Sequence, residues 1–335
     1  MLSFTLRRLS VAVPILVLTS LLIFLLLDAA PGDPMSQVPL TVPPEVRAQM
    51  REALGLGEPV YLRFALWMKQ VFWIEPKILM DHMFGTSLAT NELRVLSWQT
   101  RAPVMDMVAE RLPQTLWVVG SAYVIGIAIA LPIGILSAYR QYSVFDTSST
   151  FVTMVAYSVP TFVTGPLLIV IFAVQLGWAP SIYDTTHRVT DWQSFMVQVQ
   201  QMMLPVAVLA AQTAAQISRY MRASMLDTLP LDYIRTARAK GMPEHVVVLR
   251  HALRNSMIPV VTVIALGAPA MFGGAIITEQ IFAINGIGAQ LIGALQAGDL
   301  PTVQTLTFLF AVLIVLANLL ADILYGLLDP RIRYD

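Results

Sequence analysis

The sequence contains no cysteine. Disulfides, thiolate metal sites and cysteine nucleophiles are thereby excluded. Lysine is nearly missing too: Lys69, Lys77 and Lys240 are the full set. No Gly-x-x-x-x-Gly-Lys-Ser/Thr string occurs, so the chain carries no P-loop with which to hold ATP itself. The four histidines, His82, His187, His245 and His251, stand at no metal-ligand spacing, and no metal site is expected. Charge is scarce. Only 13% of the 335 residues are charged, against about a quarter in a soluble domain. With 56% hydrophobic residues and a mean hydropathy of +0.68, the composition is that of an all-α integral membrane protein. The formal net charge is zero, so bulk charge points to no partner; its distribution along the chain does.

Six apolar segments are read as crossings of a bilayer, which takes about 20 residues each. They cover residues 9–27, 116–139, 151–176, 202–217, 258–284 and 303–328. The first follows Arg7-Arg8. It is too long for the apolar part of a secretory signal, and Asp28 suits a cleavage site poorly, so it is read as an uncleaved span. The third holds Pro160 and Pro166, whose missing N–H groups predict kinks. Gly126, Ala130 and Gly134 recur four apart in the second span, as do Ala270, Gly274 and Thr278 in the fifth; such stripes let helices approach closely. Between the first two spans, Pro43-Pro44-Glu45 opens a helix with Val46, Met50 and Leu54 on one face, stopped by Gly55. A second helix begins near Pro59 with Tyr61, Phe64, Trp67, Met68 and Val71 at helical spacing. Trp67 and Trp73 are read as anchors at the membrane–water interface. Six spans put both termini on one side. That side then holds twelve of the 21 Lys/Arg, in groups of two, one, seven and two, which marks it as cytoplasmic.

The group of seven lies in the longest hydrophilic stretch of the second half, residues 219–255: Arg219, Arg222, Arg235, Arg238, Lys240, Arg250 and Arg254. Its local signals are helical. Thr228 can cap, Pro230 suits a first helical position and Asp232 puts negative charge in a first turn. Gly241 suits a left-handed stop, and Pro243 can open a second helix at once. Helix, glycine turn, helix makes a rigid knob. The string Asp232-Tyr-Ile-Arg-Thr-Ala-Arg-Ala-Lys-Gly241, with His251-Ala-Leu-Arg-Asn255 and Ile258-Pro259, resembles the cytoplasmic EAA loop of ABC-transporter permeases, most of all the dipeptide, oligopeptide and nickel import group. One departure stands out: Arg235-Thr236-Ala237 occupies the place of Glu-Ala-Ala, as in the peptide branch. Ala30-Pro-Gly-Asp-Pro34, Phe84-Gly-Thr-Ser87, Arg111-Leu-Pro-Gln-Thr115 and Gly286-Ile-Gly288 are similar family landmarks.

The resemblance implies a type I importer permease fold with an external cap between the first two helices. It divides the chain into an N-terminal transmembrane helix at 1–28, the cap at 29–112, a five-helix permease core at 113–329 and a tail at 330–335. It implies a bacterial inner-membrane protein that does no covalent chemistry and binds no cofactor. Its partners would be a second permease, two ATP-binding subunits carrying ATP and magnesium, and an external substrate-binding protein; nucleic acid is not among them. In that family the loop is a coupling helix. Here the matching docking residues are Asp232, Tyr233, Thr236, Ala237, Ala239, Lys240, Gly241, His251 and Asn255, with Tyr233, Ala237 and Lys240 read as one outward side. Polarity at membrane depth nominates Ser158, Thr161, Gln212, Gln216 and Glu279 for the substrate pathway. The reading from another class is an ion-coupled secondary transporter or channel, with Glu279 or Asp322 as proton relay; a structural or gating role is favoured for both. His251 and Asn255, four apart, are expected to share a hydrogen bond.

Overall fold

A computed structural model describes residues 2–29, 42–53, 57–85, 87, 92 and 94–328. Leu54 and Gly55 of the anticipated first cap helix, the Ala30–Pro34 landmark and the C-terminal tail lie outside them. Among the described residues the regular structure is helical, from α1 (Leu2–Asp28) and α2 (Pro44–Ala53) onward, with one isolated bridge between Leu96 and Pro103. They form two compact units, 1–12 with 114–289 and 313–335, and 13–113 with 290–312.

The first unit is built on three long helices, α5 (Val104–Tyr139), α8 (Trp192–Thr228) and α11 (Leu253–Ile281). The glycine stripe on α5 seats α8 backbone to backbone. A β-carbon on Gly126 would lie 2.7 Å from the Thr213 β-carbon, and one on Gly134 would lie 2.7 Å from the Ser218 carbonyl oxygen. Ala130 between them is fully buried. The spacing of small residues therefore does what the pattern predicted. Gly134→Leu is expected to pry α5 from α8 and destabilise the chain by about 1–3 kcal/mol. A fall in the thermal aggregation midpoint in detergent checks this, and an unchanged midpoint refutes it.

Asp191 starts α8. Its carboxylate accepts from the Ser194 N–H at 2.7 Å, and the Ser194 hydroxyl accepts from the Asp191 N–H at 2.9 Å. The amphipathic lead-in at Trp192 is thus the first turn of one 37-residue helix. The hydrogen bonds from Ser194 hold the Asp191 carboxyl below the usual carboxylate range. The expected third span differs most. α6 (Val144–Ser158) ends before Pro160, and α7 (Thr161–Leu168) leaves it at 106°. With the wide helical turn Ile169–Gln175 the pair is bent far beyond a proline kink, as in a broken span or a re-entrant segment. Among the described residues five helices are long and apolar enough to cross a membrane, or six with this pair. Proline explains the break, since Val159 before it is driven to an extended conformation, φ −86° and ψ 121°.

In the second unit α3 (Val60–Lys69) and α4 (Glu75–Phe84) bracket a wide turn at Gln70–Ile74. Trp67 is not an interface anchor. It is buried, packing edge-on against Phe308 of α13 (Leu300–Leu328) and stacking with Phe64. Trp73 is exposed, with the Lys77 ammonium 5.0 Å from its ring centre. Asp299 begins α13. Its carboxylate accepts from the Ser97 hydroxyl at 2.5 Å, the Trp98 N–H at 3.0 Å and the Thr302 hydroxyl at 2.7 Å. α12 (Ile287–Gln296), ten residues, is an element the sequence reading left in a loop.

Candidate functional site

The knob forms as its local signals predict, with one shift. Thr228 ends α8 and donates to the Ser224 carbonyl oxygen at 2.8 Å instead of capping the next helix, and Pro230 sits in the connecting turn. α9 (Asp232–Ala239) starts after extended Leu231, carries Asp232 in its first turn and stops at Gly241, φ +71°. Pro243 precedes α10 (Glu244–Val246), which runs through a wide turn at Val247–Ala252 directly into α11. The second helix of the knob and the membrane helix are one continuous rod.

Ile234 and Ala237, three apart on α9, turn inward and pack with Met221 and Met225 of α8 and with Val247, Val248 and Ala252. Ile234 is fully buried; a residue of its size contributes about 1.5–3 kcal/mol when so removed from water. Ala237 is 4% exposed, so it does not stand on the outer side with Tyr233 and Lys240. Its small size admits the chain's own helices, not a partner. The outer surface is Asp232, Tyr233, Arg235, Thr236, Ala239, Lys240 and Gly241. The Asn255 amide donates to the Tyr233 hydroxyl at 2.7 Å, tying α9 to the start of α11. The anticipated His251–Asn255 bond is replaced by this one, and the buried His251 Nε2 has no partner among the described residues. Arg238 donates to Glu244 at 2.7 Å across the glycine turn. That hydrogen bond holds the guanidinium above its ordinary value. Both partners are more than a third exposed, so the pair contributes only about 0.2–1 kcal/mol. Beneath the knob, Arg222 grips Asp146 with two bonds of 2.6 and 2.7 Å, a pairing 76 residues apart that no local pattern announces.

The five nominated pathway residues separate. Gln212 and Gln216 line one cavity of about 170 Å³, together with Tyr123, Tyr157 and Met271. Thr161 is buried, and Ser158 is exposed at the end of α6. Glu279 belongs elsewhere, at 1% exposure. Its carboxylate accepts from the Thr115 hydroxyl at 2.6 Å and the Ala289 N–H at 2.9 Å, while Thr115 accepts from the Ile287 N–H at 2.9 Å. A β-carbon on Gly286 would collide with that carboxylate, and one on Gly288 would lie 2.9 Å from it. Glu279 is therefore a clasp joining α5, α11 and the start of α12, apart from the cavity of Gln212 and Gln216. A buried carboxylate needs such donors. Asp322 is paired as well, with Arg8 at 3.1 Å.

Sequence comparison places the chain in a family. Residues 130–334 match the family described as binding-protein-dependent transport system inner membrane component, and residues 1–119 match its N-terminal counterpart. The chain belongs to this family. It is a multi-pass inner-membrane permease. The oligopeptide transport system permease AppB of Bacillus subtilis is 36% identical over the whole of both chains. The glutathione transport system permease GsiC of Escherichia coli K12 is also 36% identical over both full lengths. A probable peptide ABC transporter permease of Sinorhizobium fredii is 34% identical over 99% of each. Among solved structures, the MetNI methionine ABC transporter in an inward-facing form matches with TM-score 0.53 and 18% identity, over 67% of this permease and 97% of that chain. An amino acid ABC transporter matches with TM-score 0.50 and 15% identity, over 66% and 94%. At such identity the structural likeness bears on the fold alone.

Proposed function

We propose that this permease forms half of the pathway of an ATP-driven importer of peptides. A second permease supplies the other half, two ATP-binding subunits carry ATP and magnesium, and an external binding protein delivers the cargo. The observation that carries the reading is the knob. Its inner side is locked to α8 and α11 through Ile234, Ala237 and Val247, while Asp232, Tyr233, Thr236, Ala239 and Lys240 face outward. A surface so placed transmits a push without absorbing it. Peptide cargo is supported by full-length relatives whose names specify oligopeptide, peptide and glutathione transport. The test is uptake of a short peptide by the reconstituted complex. ATP-dependent uptake that needs the binding protein supports the reading; proton-driven uptake by this chain alone overturns it.

Orientation follows from the lysine and arginine bias, with both termini and the knob cytoplasmic. Because the chain has no cysteine, single cysteines report cleanly. A membrane-impermeant thiol reagent on intact cells is expected to label a cysteine at Asp191 and to spare one at Glu244. Labelling at Glu244 inverts the topology.

A further inference from the structure

The cavity beside α8 contains polar groups that the fold does not use. Gln212 and Gln216 are in its wall, and Arg219 follows three residues on, so all three share one face of the helix. The Arg219 guanidinium lies over the Tyr157 ring, 4.4 Å from its centre, and Tyr157 is itself part of the cavity wall. No hydrogen bond or ion pair within the described residues engages the Arg219 guanidinium, the two glutamine amides or the Tyr157 hydroxyl. The neighbouring arginine is different: Arg222 is paired with Asp146 through two hydrogen bonds. Tyr123, across the cavity, is also spent, donating to the Ile264 carbonyl oxygen. Among the described residues no carboxylate lines the space.

A cation stacked on an aromatic face keeps its plane fixed and its N–H edges free. Amides beside it add donors of their own. Such a set accepts a planar anion, and a guanidinium prefers a carboxylate, which it can meet with two parallel bonds. Groups left without partners in a folded chain mark either bulk water or a ligand. Here Gln212, Gln216 and Tyr157 line one cavity, and the exposed Arg219 stands outside that wall, held at its edge by the stack on Tyr157; together they carry a single sign of charge. We infer that Arg219, with Gln216, Gln212 and the Tyr157 hydroxyl, forms a carboxylate subsite on the transport route, which receives the C-terminal carboxylate of an incoming peptide. This rests on the peptide reading above and deepens it. Arg219 neither packs in the knob nor touches its outer surface, so the subsite is separable from coupling to the ATPase.

Three probes discriminate: trialanine, trialanine amide, and Ala-Asp-Ala amide, which moves the carboxylate to a side chain. Each is offered to the complete importer in proteoliposomes, with the parent chain and with Arg219→Gln. The variant is expected to lose about tenfold in trialanine uptake, the scale of one charge-assisted contact, while trialanine amide changes by less than about twofold. The comparison of variant with parent removes any preference that belongs to the binding protein. Arg219→Lys, which keeps charge but not the planar fork, is expected to fall between. Selective loss on Ala-Asp-Ala amide instead would overturn the C-terminal assignment. Equal loss on all three would make Arg219 a structural residue, and no loss would remove the subsite; either result ends the proposal. Failure of the parent importer to move any of the three would instead overturn the peptide reading itself.

Discussion

Ala239→Glu and Gly241→Val are each expected to reduce ATP-dependent uptake by tenfold or more while the permease remains abundant and thermally stable. Ala239 is exposed at the outer end of α9 and makes no part of the chain's own core. A glutamate there meets water in the isolated chain, so nothing is lost until a partner closes over it. Inside a packed contact the same group is an unpaired charge, which costs several kcal/mol. Gly241 has open space around its β-carbon position, but its backbone is left-handed at φ +71°. A side chain there costs roughly 1–2 kcal/mol of backbone strain, relieved by re-aiming α9. In both variants the ATP-binding subunits should wash from the complex more readily, and substrate-stimulated ATPase should fall. Ala237→Glu serves as the contrast. Its side chain lies among Met221, Met225 and Val247, so the charge is buried within the permease and abundance itself should drop. Near-normal uptake by Ala239→Glu and Gly241→Val, with the ATPase still bound, would show that the knob is not the docking element.

The second large effect is expected at the Glu279 clasp. Gly286→Ala places a methyl group where the Glu279 carboxylate now sits. The carboxylate cannot yield without abandoning the Thr115 hydroxyl and the Ala289 N–H. A loss of about 1–3 kcal/mol is the scale of overpacking, and stranded donors add about 1–3 kcal/mol each. Glu279→Ala alone should also destabilise, through the same stranded donors. Combined, the two changes should cost less than their sum, because the methyl then fills part of the space the carboxylate vacates. A favourable coupling of about 0.5–3 kcal/mol is the range for residues in contact. Thermal midpoints of the four proteins in detergent measure it. Strict additivity would mean that Gly286 and Glu279 do not meet.

Much of this was legible in the chain because it is written locally. The helix–glycine–helix of the knob follows from Asp232, Gly241 and Pro243 within a dozen positions, and the α5–α8 seam follows from the small residues Gly126, Ala130 and Gly134, each about one turn from the next. What was not legible depends on distance along the chain. Asn255 finds Tyr233 across 22 residues and Thr115 finds Glu279 across 164; neither spacing has a period to betray it. Ala237 was misplaced because a small residue on a short helix admits close approach from either side, and only tertiary packing says which. The prolines foretold a disturbance in the third span, but not an angle of 106°. Gly165 lies against Ile281, so the direction of α7 is set with α11, far downstream.

The continuity of α10, its wide turn and α11 has a mechanical consequence. The knob sits at one end of this rod and the clasp at the other, since Glu279 lies two residues before the end of α11. At 1.5 Å per residue the 29 residues of α11 span about 43 Å, so a rigid tilt of roughly 5° at the knob carries the far end sideways by roughly 4 Å. Displacement on that scale exceeds any hydrogen bond's tolerance. The clasp therefore has two choices when the knob is pushed: travel as one piece with Thr115 and the head of α12, or let go. Leverage, not proximity, links the two ends, and a pair of spin labels at Glu244 and Ala283 would read the rod's stiffness directly as a distance that stays constant through the ATP cycle.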